Sequence, residues 1–232
     1  MTRRHVTIRD TLVVLLTLTT GAVDATSFLA LGRVFSSVIT GNLVLLGLAA
    51  GTGSPSLAEH AVTAVAGYSA GVLLGAPVAA RVSRDSGTWP PAVTATLAVE
   101  ACLLVAFSAV WEVAGGHPGG GLQMVLDGVL AASMGAQSAA VRRLGEMSTT
   151  YLTGTLTGVL AGLATRDRPD AFGRSVGVLV AIVAGAVTAA FLITDAPTWL
   201  PVAILLPIGA VVTVSLVSFE HVRGHLLPRR FH

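Results

Sequence analysis

Six runs of twenty or more residues, almost wholly apolar, occupy most of this chain: 11–31, 57–80, 91–111, 122–141, 171–193 and 199–219. A bilayer core of about 30 Å takes roughly 20 residues of helix to cross at 1.5 Å per residue. No water reaches a backbone N–H or C=O in lipid, so each run must close its hydrogen bonds on itself as a helix. The rest of the composition agrees: 11% of residues are charged and mean hydropathy is +0.79, where soluble domains carry about 25% charged residues. The chain therefore reads as one all-α integral membrane domain over residues 1–232.

The start, MTRRHVTIRD followed by TLVVLLTLTT, has the outline of a signal peptide. The apolar run continues to Leu31 without a clean small-x-small cleavage site, so it reads as a first transmembrane helix. Trp89 and Trp111 bracket the third run, about 33 Å apart as helix, which matches an aromatic side chain at each interface.

Two shorter segments remain, 34–50 and 147–164. In the second, six of the ten residues from Ser148 to Thr157 are Ser or Thr, a density that a lipid-facing span does not need. The first carries Ser36, Ser37, Thr40 and Asn42. Polar, Gly-interrupted backbone is tolerated at membrane depth where it is buried in protein or lines a cavity. All fourteen basic residues are arginines, and they arbitrate. With eight crossings and a cytoplasmic N-terminus, nine lie inside and five outside. With 34–50 and 147–164 entering and leaving on one side, thirteen lie inside and only Arg33 outside. Positive charge in short loops marks the cytoplasmic side, so six spans plus two re-entrant segments is the expected topology and eight spans the alternative. Both termini are then cytoplasmic.

A shift of 113 residues lays Leu31-Gly32 on Leu144-Gly145, Thr40-Gly41 on Thr153-Gly154, Leu43 on Leu156 and Asp24 on Gln137. Repeat 1 covers about 11–113 and repeat 2 about 122–219. Three crossings per repeat would invert one half relative to the other, an arrangement common in transporters. A duplication that only builds a stable bundle is the competing reading.

An Asp in the first span (Asp24), Leu31-Gly32, Phe35, Thr40-Gly41-Asn42, Gly135-Ala136-Gln137, Arg142-Arg143-Leu144-Gly145 and Thr153-Gly154-Thr155 together resemble the YoaK family of bacterial inner-membrane proteins, a family of unknown function. The resemblance covers nearly the whole chain and implies a multi-pass bacterial membrane protein. It brings no activity and no binding residue with it.

The residues themselves supply the candidates. Ionisable groups inside a membrane are costly and face the bundle interior or a water path, which singles out Asp24 and Glu100 as candidate proton sites. A structural hydrogen bond is the competing reading for each. Asp127, near an interface, reads as solvated, and Gln137 as an uncharged polar site. Thr40 and Thr153 are suited to cap helices starting at Gly41 and Gly154. Two such half-helices would aim their N-termini inward and favour an anion or an electron-rich solute. The candidate substrate-binding set is thus Asp24, Thr40, Gly41, Asn42, Gln137, Thr153, Gly154 and Thr155, with the two Thr-Gly breaks meeting near mid-membrane. Close helix crossing is the alternative use of the glycines, and it explains the four-residue spacing of Gly154, Gly158 and Gly162 and of Gly67, Gly71 and Gly75 well, best for the latter run.

Function classes narrow accordingly. His5, His117, His221, His225 and His232 fall in termini or loops and His60 at a helix entrance, so no metal-ligand spacing arises. Neither a phosphate-binding GxxxxGK[ST] nor a GxSxG motif is present. No enzyme, cofactor, metal or nucleic-acid role is expected. The expected partners are the lipid bilayer and a small solute, with a second copy of the chain left open. A small-solute permease leads, ahead of a channel-like facilitator and a non-transporting scaffold or accessory subunit.

Overall fold

The computed structural model describes residues 3–81, 89–144, 152–165 and 172–226, with side chains from residue 6 to 218 within those ranges. The described residues form eight α-helices and no strand: α1 Arg3–Thr26, α2 Ile39–Thr52, α3 Pro55–Ala80, α4 Pro91–Val113, α5 Gly121–Val141, α6 Leu152–Thr165, α7 Phe172–Asp195 and α8 Leu200–Leu226. A π-helical turn, Ser27–Leu31, extends α1, and a 3₁₀ turn, Arg142–Leu144, follows α5. Six helical stretches are long and apolar enough to cross a membrane. Helices α2 and α6 have 14 residues each, about 21 Å at 1.5 Å per residue, which falls short of a core of about 30 Å.

Contacts at the helix ends establish which of them share a face. Gln123, near the start of α5, donates to the Ala30 carbonyl at the end of α1 (3.1 Å), and Gly32 packs against His60, near the start of α3. The chain therefore returns after α2 to the face it had reached at the end of α1. At the opposite face Arg174 of α7 pairs with Asp10 of α1 at 3.2 Å. Because α5 runs antiparallel to α1, it ends on that second face, where α7 begins. The described ends on either side of α6, Leu144 and Phe172, are thus on one side. Trp111 donates to the Pro197 carbonyl (2.8 Å) and Thr94 to Ser215 (3.1 Å), which sets α4 antiparallel to α8.

This topology makes a labelling prediction. In a Cys102→Ala background, Arg33→Cys and Thr52→Cys should react with a membrane-impermeant maleimide from one face, and Arg81→Cys from the other. Labelling of Thr52→Cys from the face opposite to Arg33→Cys would show that α2 crosses.

Small residues let the spans touch backbone to backbone, which is how helices associate in lipid. A methyl group at Gly71 would run into the Ala132 carbonyl, and one at Gly135 into the Tyr68 carbonyl, so α3 and α5 are in main-chain contact. Helices α1 and α7 meet in the same way, Gly185 on Leu18 and Gly21 on Ile182. The expected packing role of Gly67, Gly71 and Gly75 is the observed one. Gly154 and Gly158 differ: nothing among the described residues lies within 4 Å of a methyl group at either.

The contact positions of the two crossings correspond at a shift of 114, not 113. It takes Gly21 to Gly135, Tyr68 to Ile182, Leu18 to Ala132 and Gly71 to Gly185. Between α2 and α6, Ile39 to Leu152 and Thr52 to Thr165, the shift is 113. A π turn fits one extra residue into a helix, and the turn at Ser27–Leu31 absorbs the difference. The spans consequently match Asp24 with Ser138 and leave Gln137 opposite Val23.

Candidate functional site

Asp24 projects from the end of α1 and is 7% exposed. The backbone N–H of Ser37 donates to its Oδ1 at 2.8 Å and the Ser37 hydroxyl to its Oδ2 at 2.5 Å. Both carboxylate oxygens thus hold the strand of chain that leads into α2. Asn42, fully buried, folds back on the same segment: the Phe35 N–H donates to Asn42 Oδ1 (2.9 Å) and Asn42 Nδ2 donates to the Phe35 carbonyl (2.5 Å). The hydroxyls of Ser27 and Ser36 share a hydrogen bond at 2.6 Å, and the Phe28 and Phe35 rings stack at 5.2 Å. The buried polar side chains of this lead-in, Asp24, Ser27, Ser36, Ser37 and Asn42, all find partners inside the protein, as polar groups at membrane depth require.

This corrects the expected use of the first Thr-Gly break. α2 starts at Ile39 after Val38, which makes no side-chain cap, and Thr40 is exposed in the first turn. Gly41 is half-buried beside Phe35 and Val38. Asp24, borrowed from another helix, sets negative charge at this N-terminus, where the helix dipole favours it. The dipole is engaged within the protein and is not free for a solute.

The second break behaves differently. Thr153 and Gly154 are exposed within the first turns of α6, the Thr153 carbonyl accepts from Thr157 at 2.9 Å, and Thr155 is half-buried. Ser148, Thr149 and Thr150 lie outside the described residues. α2 packs chiefly on α3 and α6 on α7, and their segments enter from opposite faces. The two breaks do not build one site: burying α2 against α3 leaves its Leu43, Val44 and Leu48 facing outward, as Leu156, Leu160 and Leu163 of α6 do. Gln137 is brought to α1, where it donates to Thr20 Oγ1 (3.1 Å) one helical turn before Asp24. Glu100 is fully buried within α4, and neither carboxylate oxygen has a hydrogen-bond partner among the described residues.

Two residues that the sequence set aside, one as a solvated carboxylate and one as a helix-entrance histidine, stand beside the Asp24 cluster. His60 Nδ1 lies 3.6 Å from Asp127 Oδ2, with Asp127 wholly buried and His60 8% exposed. Asp127 is therefore an interior group, not a solvated one. The depth of the pair follows from position: His60 is the sixth residue of α3 and Asp127 the seventh of α5, and both helices start on the same face. Gly32 makes room for the pair, since a side chain there would overlap the His60 ring. The Gly of the Leu-Gly motif thus has a local cause.

Above the pair opens a cavity of about 470 Å³, lined by the π turn, Gly32, Arg33, Gln123 and the first turn of α3 with Ser54, Ser56, Leu57 and His60. Arg33 has φ of 58°, a left-handed conformation uncommon outside glycine. A π turn and a strained residue on one rim are features that cluster at functional sites. Among the described residues no group of three or more His, Cys, Asp or Glu could hold a metal ion.

A family model described as a protein of unknown function, DUF1275, matches residues 12–217. The chain belongs to the DUF1275 family. A relative, the UPF0700 transmembrane protein YoaK of Bacillus subtilis (strain 168), is 37% identical over 160 residues, which cover 68% of each chain. No solved structure matches. The shared membrane character agrees with the six long apolar helices, and the DUF1275 match spans the cavity, the His60–Asp127 pair and α2 alike.

Proposed function

We propose that this DUF1275 protein is a small-solute permease of a bacterial inner membrane, built from two inverted halves with both termini cytoplasmic. The observation that carries the reading is the polar cavity of about 470 Å³ at the membrane face where re-entrant α2 returns. Pockets of this size suit small ligands, and its floor is a buried ionisable pair, which inside a membrane marks a solute or ion path. The matching α1–α7 and α3–α5 crossings support inverted halves, and the thirteen-to-one division of arginines supports the orientation. The solute site moves accordingly, from the two Thr-Gly breaks to the cavity, with Asp24 and Asn42 holding its re-entrant wall.

Reconstitution tests this. Proteoliposomes should accumulate at least one member of a panel of small labelled anions and neutral solutes above protein-free liposomes. Filling the cavity with Ser56→Trp should abolish that uptake without lowering the thermal midpoint. If no panel member enters faster than through protein-free liposomes, the permease reading fails and a scaffold role takes its place.

A further inference from the structure

We propose that the cavity binds the oxyanion head of a small organic anion, with Arg33, the open N-terminus of α3 and His60 as its recognition groups. The inference rests on the permease reading and names its substrate class. Three observations converge on one space.

Helix α3 has 26 residues and starts with Pro55 after Ser54, which makes no side-chain cap. The first-turn N–H groups of Ser56 and Leu57 have no carbonyl of their own helix to bond, and both residues line the cavity. The helix dipole adds about half a positive charge there. Unlike α2, this N-terminus has no hydrogen bond from a neighbouring carboxylate among the described residues, and α3 has no acidic residue in its first turn.

His60 supplies the independent evidence. Its Nδ1 is buried, faces Asp127 and makes no hydrogen bond. His60 also lines the cavity, and with Nδ1 turned to Asp127 the nitrogen left for a ligand is Nε2. His60 is 8% exposed and makes no hydrogen bond among the described residues, so its imidazole is positioned to hydrogen-bond something that enters. Asp127 is the positioning residue, since a carboxylate on one ring nitrogen fixes imidazole orientation.

Arg33 supplies the net charge. Its guanidinium forks onto carboxylate or phosphate in a planar, bidentate way, and it is the one arginine assigned to this face. Phe28 and Leu29 of the π turn give the cavity an apolar wall for the body of the ligand. An oxyanion on a short apolar body is therefore the matching class. It could be a free solute or the headgroup of an anionic lipid.

The probe pair is phenyl phosphate and its neutral relative benzyl alcohol, titrated calorimetrically against the full-length protein in phosphatidylcholine nanodiscs. Phenyl phosphate should bind and benzyl alcohol should not. Arg33→Asn, which suits a positive φ while removing the charge, and His60→Gln should each weaken phenyl phosphate roughly tenfold or more. Asp127→Asn should weaken it less, and Arg81→Gln on the far face should leave it unchanged. Equal binding of both probes, no phenyl phosphate binding at 10 mM (about the weakest affinity of interest), or unchanged binding by Arg33→Asn would each overturn the site. With phosphatidylglycerol in the nanodisc, unchanged affinity identifies a free-solute site and competition identifies a lipid headgroup. Anion binding without uptake in proteoliposomes would keep this site and reject the permease. Uptake indifferent to Arg33→Asn would keep the permease and reject this site.

Discussion

Gly71→Ala and Gly185→Ala should each cost about 3 kcal/mol of stability, at the upper end of the range for overpacking a tight contact. One methyl group at either position meets main-chain atoms of the facing helix, Ala132 in one crossing and Leu18 in the other. Main chain cannot rotate away as a side chain does, so the helices must separate along their length. Separation forfeits the close van der Waals contact that drives helix association where lipid is as apolar as the helix surface. Because a methyl group at either position would meet a carbonyl oxygen equally closely, the two variants should lose similar amounts. Gly154→Ala is the control: with open space around it, the added methyl should be neutral or stabilise α6 by up to about 1 kcal/mol. Unfolding of detergent-purified protein by a graded denaturing detergent measures all three. Equal stability of Gly71→Ala and Gly154→Ala would show that the main-chain contact between α3 and α5 contributes little.

Asp24 carries the second large effect. Asp24→Leu removes the acceptors of both the Ser37 N–H and the Ser37 hydroxyl, and leaving two buried donors unsatisfied should cost about 3 kcal/mol. The loss should be local before it is global, because α2 packs chiefly on α3. Hydrogen exchange should accelerate across residues 34–52 while α3 and α5 stay protected. Asp24→Asn keeps an oxygen for the Ser37 N–H and should lose only about 1 kcal/mol. It should also keep uptake if Asp24 serves as an anchor. A well-folded Asp24→Asn protein that no longer transports would instead assign Asp24 a proton-handling role. Unaltered exchange across 34–52 in Asp24→Leu would remove the anchor itself.

The sequence alone determined the class of molecule. Length and hydropathy dictate six crossings, because a backbone in lipid has no other way to satisfy its hydrogen bonds. The arginines and the shortness of the Thr-Gly segments pointed to re-entry, and the four-residue spacing of Gly67, Gly71 and Gly75 pointed to close packing. These are properties of one segment at a time, and they survive without knowledge of neighbours. Asp24 was also visible, since a charge within a span is conspicuous wherever it points.

Tertiary structure decided what these residues meet. Asp24 finds Ser37 and not a solute, because the chain reverses through Phe35 and brings that N–H back under α1. His60 and Asp127, 67 positions apart, come together only because α3 and α5 begin on the same face and cross through glycine. Each lies near the start of its own helix, where Asp127 reads as a solvated interface carboxylate, so no local pattern marks them as a buried pair. The π turn hides a one-residue slip between the halves, which set Asp24 against Gln137 in the sequence and separates them in the spans. A cavity has no signature in one dimension. It exists where Arg33, the first turn of α3 and Gln123 converge from three separate stretches of chain, and only the packing of the helices determines that they do.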